Sequence, residues 1–413
     1  MSGRPGFAES LEVLRIRDFR YFLASRFFAT LATQMQALVV SWQIYQLTKD
    51  PLALGLVGLI EAAVFILFSF WAGHFSDRRE KRGIILFAQT LLLVCGLGLL
   101  ILSHRGVGVK AIYAVIALTG LARSYLWPAS FSYSELTVPR AIYSRAAALN
   151  ATGWEVGSIL GPAMGGLVYA WKGPVTAYAF VAVLAALGIL FAFMMGKRPP
   201  IIASPEMPPH DFLSGARFVF SKQVMLGAIS LDMFAVLFGG AVAILPIFAD
   251  MYHVGPVGLG WLRAAPSIGA ILMALYQQSR PPFQQAGRTL LTAVTLFGAA
   301  TIGFALSQNY WLSLAFLAVL GAADNVSVVI RASIMQAFTP DSMRGRVSSV
   351  NGIFIGSSNE IGAFESGLAA KLMGTVPSVV FGGAMTLLTV AITFWKASEL
   401  RRLGTIHKPG GAL

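Results

Sequence analysis

Uninterrupted apolar runs of about twenty residues recur along the whole chain, and this feature restricts the possible fold more than any other. A helix of that length spans the hydrocarbon core of a bilayer, and helices bond their own backbone polar groups, as lipid requires. Hydrophobic residues make up 56% of the 413 residues and charged residues only 12%, about half the charged share of an ordinary soluble domain. The chain is therefore predicted to be an all-α membrane protein.

Twelve such runs are separated by glycine, proline or charged residues. Their approximate bounds are 21–47, 52–75, 83–104, 109–136, 144–171, 175–196, 224–250, 256–279, 288–307, 311–338, 346–373 and 376–396. The one long polar stretch, residues 197–222, contains five prolines and separates the sixth run from the seventh. This pattern predicts an N-terminal six-helix bundle at 1–196, a cytoplasmic linker at 197–222 and a C-terminal six-helix bundle at 223–413.

Lysine and arginine indicate the orientation, because the cytoplasmic side retains them. With the N-terminus inside, 22 of the 31 lie in inner tails and loops and five in outer loops. Both termini are therefore predicted to be cytoplasmic. The net charge of +13 is explained by this asymmetry and by contact with the lipid bilayer, so we expect no nucleic-acid partner.

An internal repeat supports the division into two halves. Identical residues recur at an offset of 201 positions: Gly120 with Gly321, Ala122 with Ala323, Pro139 with Pro340, Arg145 with Arg346, Asn150 with Asn351, Gly161 with Gly362, and Gly166 with Gly367. The fourth and fifth runs thus reappear as the tenth and eleventh. Two pseudo-symmetric halves of this kind place a substrate site near the bilayer midplane and alternate its access by rocking, which is the architecture of a transporter.

The loop after the second run carries an acid and a cluster of cations four residues after a glycine. Gly73, Asp77, Arg78 and Arg82 stand at the spacing of the signature loop of the major facilitator superfamily, which this loop resembles, with Glu80 replacing its second glycine. The resemblance implies the fold of that superfamily. It also implies that these four residues form a conformational latch that does not contact the substrate.

A glycine-rich stretch lies in the fifth run. Its members are Gly157, Gly161, Pro162, Gly165 and Gly166. Glycines at this spacing form a smooth stripe against which a neighbouring helix packs closely, and the proline favours a bend. One interpretation of the stretch is such a helix crossing. The other is the antiporter motif of drug exporters, which the stretch resembles. The first glycine position of that motif is occupied by Ala148 in this sequence.

Two further stretches, 42–48 and 336–347, resemble the drug:proton antiporter branch that contains siderophore (enterobactin) exporters and macrolide efflux proteins. This resemblance implies proton-coupled export of a siderophore or an amphiphilic drug-like solute across the bacterial inner membrane, with the proton gradient as energy source and no cofactor. We expect a monomer. Two alternatives stay open, a proton-coupled importer of an iron complex or small metabolite, and a non-transporting membrane receptor on the same fold.

Enzyme functions lack the residues they need. The sequence contains no phosphate-binding loop of the form Gly-x-x-x-x-Gly-Lys-Ser/Thr, so direct use of ATP by this chain is excluded. Its five histidines and single cysteine are far apart in sequence and form no metal-ligand pattern. We therefore predict neither a catalytic nor a metal site.

Ionisable residues within membrane runs are costly and are functional candidates by default. We select Asp324, Arg123, Glu155 and Asp232 as candidates for proton coupling. Arg123 and Asp324 occupy equivalent repeat positions, each about 20 Å from the outer helix end at 1.5 Å per residue. The hypothesis is that Asp324 carries a proton and that its pairing with Arg123 or Arg331 changes between states; a static buried salt bridge is the alternative.

Aromatic residues at helical spacing supply candidates for a solute cavity, because flat rings stack on an amphiphilic solute. These candidates are Trp42, Tyr45, Tyr125, Trp127 and Phe131, together with Arg331. Packing within the bundle or placement at the membrane interface is the alternative for each aromatic residue.

Overall fold

The computed structural model describes residues 11–198, 212–239, 241–281, 283–340 and 343–405. In these ranges every regular element is a helix, and nine helices are long and apolar enough to cross a membrane by length and composition. The predicted all-α membrane fold is confirmed. The count of twelve spans stays a prediction.

Five long helices make up the first half of the chain. They are α1 (Arg17–Thr48), α2 (Pro51–Arg78), α3 (Lys81–His104), α4 (Val109–Thr137) and α5 (Tyr143–Met194). Helix α5 covers two predicted runs, and its backbone leaves helical geometry at Lys172 and Gly173, where Gly173 has a φ of +76°. Because that φ suits glycine, residue 173 turns the chain between two membrane-length arms.

The second half contains more and shorter helices. They are α6 (Phe212–Ser221), α7 (Gln223–Gly239), α8 (Leu245–Met251), α9 (Gly255–Gln278), α10 (Ala286–Leu306), α11 (Tyr310–Phe338), α12 (Arg344–Met373), α13 (Thr375–Lys396) and α14 (Ser398–Arg401). The predicted run 224–250 is divided between α7 and α8, with a 3₁₀ turn at Ala241–Ile244 between them. Most of the predicted linker, residues 199–211, lies outside the described residues, and α6 occupies the end of it.

The chain forms two compact units. The first takes its described residues from Met1–Leu47, Ile60–Ser204 and Val254–Ala264, and the second from Thr48–Leu59, Pro205–His253 and Ala265–Leu413. Each unit has its own apolar core. In the first, Phe22 and Tyr133 are buried with ring centroids 5.3 Å apart; in the second, Met225, Leu290 and Leu400 are fully buried.

Candidate functional site

A small cavity in the second unit brings together three predicted charged residues. Helix α7 supplies Asp232, and α11 supplies Asp324 and Arg331. The cavity is lined by both aspartates, Ser327, Ala235, Val236, Val294, Phe297 and Ala323. Arg331 Nη1 donates a hydrogen bond to Asp232 Oδ2, and the two side chains are only 8% and 7% exposed. The aspartates and Arg331 therefore sit in one apolar setting.

The charges around this cavity are unequal, because two carboxylates accompany one guanidinium. Among the described residues, Asp324 takes part in no ion pair within 4 Å, whereas Asp232 is paired. The hydroxyl of Ser327 and the Nε atom of Arg331 are buried without a hydrogen-bond partner in the described part of the chain. Buried polar groups of this kind are ordinarily satisfied. The cavity thus contains the carboxylate of Asp324, which can accept a proton, and the hydroxyl of Ser327, which can hydrogen-bond to a water molecule.

A second ion pair lies in the first unit. Arg123 Nη1 donates to Glu61 Oε1 at 2.5 Å, with side chains 42% and 16% exposed. The pair is positioned by a close helix crossing, since a Cβ atom at position 120 would lie 2.6 Å from the carbonyl oxygen of Glu61. Gly120 thereby sets α4 against α2 one turn before Arg123. No pattern in the sequence pairs Glu61 with Arg123, because the two residues are 62 positions apart.

The aromatic cavity candidates fall into two groups. Trp42 and Tyr45 are 4% and 7% exposed, so they are packed inside the first unit. Tyr125 is held edge-on by Phe75 and Phe87, at centroid distances of 5.9 and 5.8 Å.

The second group is exposed. Trp127 and Phe131 of α4 are 60% and 52% exposed. They stand one turn apart and continue the helix face that begins at Arg123. An ion pair on a lipid-facing surface would be costly, so this face is the best candidate of the first unit for a water-filled cavity. The last member of the predicted set, Arg331, is buried against Asp232.

The glycine stripe of α5 contacts α1. A Cβ atom at Gly157 would lie 2.7 Å from Cγ2 of Thr30, and one at Gly161 would lie 2.7 Å from Cβ of Gln34. Gly165 continues the contact along Met35. Close approach of α1 therefore depends on the missing side chains.

The opposite side of the same stretch contacts α9. Gly166 meets the backbone of Pro256, and a Cβ atom at Gly260 would lie 2.7 Å from the carbonyl oxygen of Pro162. These contacts occur at the N-terminal end of α9, near its first turn. Gly166 and Pro162 thus serve a second helix crossing, distinct from the one that the other glycines make with α1.

The second unit contains the repeat-related crossing. A Cβ atom at Gly367 of α12 would lie 2.6 Å from the Cα atom of Gly55 and 2.8 Å from the carbonyl oxygen of Pro51 in α2. Two ion pairs flank it: Lys49 with Asp250 at 2.9 Å and Asp50 with Lys371 at 3.1 Å.

The structure describes the remaining candidate residues only in part. The surroundings of Gly73 and the side chains of Asp77 and Arg78 lie outside what the structure describes, so the latch stays a prediction. Arg82 donates to the carbonyl oxygen of Phe193 at 2.6 Å and lies over its ring. Glu155 is half-buried in α5.

Comparison with known proteins gives a family and a set of named relatives. The sequence model of a family described as transmembrane secretion effector matches residues 8–406. The enterobactin exporter EntS of Shigella boydii is 26% identical over 393 residues, covering 93% of this chain and 92% of that protein. EntS of Escherichia coli O139:H28 is also 26% identical, with the same coverage.

Solved structures show the same fold at low identity. A POT family transporter in complex with 5-aminolevulinic acid has a TM-score of 0.74 at 12% identity, covering 96% of this chain and 98% of that one. A bacterial homologue of the human lysosomal transporter Spinster, inward-facing and unoccupied, has a TM-score of 0.71 at 15% identity, covering 97% and 98%.

Proposed function

This chain belongs to the transmembrane secretion effector family of the major facilitator superfamily, and from that membership we propose that it is a proton-coupled exporter of a siderophore or amphiphilic drug-like solute. It is a multi-pass membrane transporter and not an enzyme. The proposal adds the direction of transport, the coupling ion and the class of solute. It places the protein in the inner membrane of a bacterium with both termini in the cytoplasm.

The observation that carries the proposal is the cavity of the second unit. Asp324 lines it without an ion pair to any described residue, beside the paired Asp232 and Arg331. While Asp324 is charged, two carboxylates attract one guanidinium. Protonation of Asp324 leaves Arg331 to Asp232 alone, and this change in local charge gives the two protonation states different preferred arrangements of α7 and α11. Such a difference is what coupling to a proton gradient requires.

The solute class rests on the exposed face of α4 and on the relatives. Trp127 and Phe131 present two neighbouring rings below the ion pair of Arg123, an arrangement that suits a solute with flat apolar and polar parts. Proteins 26% identical over most of this chain are named enterobactin exporters. Both observations support a large amphiphile over a sugar or an inorganic ion.

We predict that Trp127→Ala weakens solute binding about five- to tenfold, the loss expected when one stacking contact of roughly 1 kcal/mol is removed. Binding is measured on purified protein by isothermal titration calorimetry, whose signal does not depend on tryptophan fluorescence. Trp171→Ala is the matched control, because Trp171 is 66% exposed in the turn within α5 and should not alter binding. Equal losses in both variants would show that the α4 face is not the solute site.

The proton coupling is tested by the pH change that follows addition of solute to weakly buffered protein. Candidate siderophores and lipophilic drugs are added in turn. An antiporter releases protons on binding solute, because the two compete. Proton uptake, or inward movement of solute together with protons in liposomes, would mean import and would overturn the proposed direction.

A further inference from the structure

One end of the second unit gathers basic side chains from three separate segments. Lys222 lies between α6 and α7, Arg288 lies in the first turn of α10, and Lys396, Arg401 and Arg402 surround the short helix α14. Four of the five are exposed and Arg401 is half-buried. We call these five residues the basic cluster. It lies at the end of the unit that the lysine and arginine count assigns to the cytoplasm.

Hydrogen bonds fix the chain segments that carry the basic cluster. The side chain of Gln223 donates from Nε2 to the carbonyl oxygen of Lys396 at 3.2 Å and accepts at Oε1 from the amide of Glu399 at 3.1 Å. This one residue ties the start of α7 to both sides of the α13–α14 junction. These bonds therefore hold the segment of Lys222 next to the segment that carries Lys396 and Arg401.

A second set of bonds joins the chain after α14 to the start of α10. The amide of Ala286 donates to the carbonyl oxygen of Gly404 at 3.2 Å, and the amide of Gly287 donates to that of Leu403 at 3.1 Å. Leu400 is fully buried and its carbonyl oxygen lies against Gly287. The segment that bears Arg401 and Arg402 is thus a docked part of the unit.

The described residues do not neutralise the positive charge of the basic cluster. In the described ranges none of the five side chains has an ion pair within 4 Å. The guanidinium groups of Arg288 and Arg401 donate only to neutral oxygens, those of Gln285 and Phe394, each at 3.3 Å. Glu399 is the one carboxylate in α14. Five cations brought together around this one acid leave an excess of positive charge, which favours an anionic partner.

Aromatic side chains beside the basic cluster indicate the source of that anion. Trp395 is 82% exposed and Phe394 is 44% exposed, and the guanidinium of Arg401 lies 4.7 Å from the ring centroid of Phe394. Phe220 of α6 is 56% exposed on the same unit. Exposed aromatic rings next to cations are typical of the membrane–water interface, where rings meet acyl chains and cations meet phosphates.

We propose that the basic cluster is a binding site for the headgroups of anionic phospholipids, which hold α14 and the segment after it against the membrane surface. Scattered basic residues in loops orient a protein without selecting a lipid. Here hydrogen bonds tie together the three segments that carry the five cations, beside the exposed rings of Trp395 and Phe394, so the site distinguishes anionic from zwitterionic lipid. A soluble phosphate would use the cations but gain nothing from Trp395 and Phe394.

The test compares lipid binding by two variants with equal charge changes. The first replaces Lys396, Arg401 and Arg402 by glutamine, and the second replaces Arg105, Lys110 and Lys172, exposed residues of the predicted outer loops. Binding of phosphatidylglycerol and of phosphatidylcholine to purified protein is followed by native mass spectrometry. We expect wild type and the outer-loop variant to prefer phosphatidylglycerol by about tenfold or more, and the first variant to lose most of that preference.

Three outcomes would overturn the proposal: an unchanged preference in the first variant, an equal loss in the outer-loop variant, or displacement of the lipid by inorganic phosphate at comparable concentration. Should the triple variant fold poorly, Arg402→Gln alone removes an exposed side chain that has no hydrogen bond in the described part of the chain. It should give a partial loss of the preference with unchanged thermal stability in phosphatidylcholine. Retention of the full preference there would also count against the site.

Discussion

Replacing Asp324 by asparagine is expected to reduce solute-driven proton release at least about tenfold while the protein stays folded and binds solute. The variant keeps the size of the side chain and one acceptor oxygen, replaces the second oxygen by an NH₂ donor, and leaves the ion pair between Arg331 and Asp232 in place. It removes only the carboxylate that lines the cavity without an ion pair. If that group carries the proton, coupling is lost and binding survives.

Asp232→Asn is the matched comparison, because it removes the other carboxylate of the same cavity. It leaves the buried guanidinium of Arg331 without its partner, a change that costs about 3–5 kcal/mol in buried ion pairs. We therefore expect Asp232→Asn to lower the thermal stability and the yield of folded protein, as measured by thermal unfolding in detergent. The two substitutions separate a coupling role from a structural one within a single site.

Proton release unchanged in Asp324→Asn would make Asp324 a structural residue and leave Asp232 or Glu155 as the next carrier to test. Strong destabilisation by Asp324→Asn would support the alternative of a static salt-bridge network. Measurements of stability and of proton release on the same preparations distinguish these cases.

Much of the helical organisation was accessible from sequence, because each membrane helix is bounded by local signals. The predicted run 109–136 corresponds to Val109–Thr137, and 376–396 corresponds to Thr375–Lys396. The predicted run 224–250 corresponds to the candidate span Gln223–Met251, but the sequence did not indicate the 3₁₀ turn at Ala241–Ile244 that divides it. Apolar composition fixes that a segment enters the membrane but does not reveal a break within it.

The pairing of intramembrane charges was less accessible. The repeat correctly assigns Arg123 and Asp324 to equivalent places in α4 and α11, but it gives neither residue's neighbour. The structure places Arg123 beside Glu61 and Arg331 beside Asp232. These neighbours depend on the rotation of each helix and on close crossings such as that at Gly120, which are tertiary properties.

Substitution of Gly367 by leucine is expected to disturb transport more than loss of the two ion pairs made by Lys49 and Lys371. The new side chain would have to enter a crossing where even a Cβ atom lies 2.6 Å from Gly55. Overpacking of this kind costs about 1–3 kcal/mol. By contrast, Lys49, Asp250 and Lys371 are 44–55% exposed, and exposed ion pairs contribute only about 0–1 kcal/mol each. The glycine contact between α2 and α12 is therefore more sensitive to substitution than the two ion pairs are.

Helix α2 belongs to the first half of the sequence and α12 to the second, so in a transporter whose halves rock against each other this crossing should separate when the outer side opens. A penalty of about 2–3 kcal/mol against the crossed arrangement shifts the ratio of the two states by about 30- to 150-fold. We expect Gly367→Leu to raise the reactivity of a cysteine introduced at position 52 toward an impermeant reagent, in a background lacking Cys95, and to slow transport at least about tenfold.

Gly83→Leu is the control, because a Cβ atom at Gly83 of α3 meets no atom within 4 Å, and it should leave both labelling and transport near wild type. The repeat supplies an independent check: Gly166→Leu alters the equivalent crossing of α5 with α9 and should act in the same direction. Normal labelling and transport in Gly367→Leu would mean that the crossing accommodates the larger side chain, which would contradict the prediction. Slowed transport without increased labelling would show that the substitution harms the bundle itself, and the crossing would then be a structural contact that stays closed throughout the transport cycle.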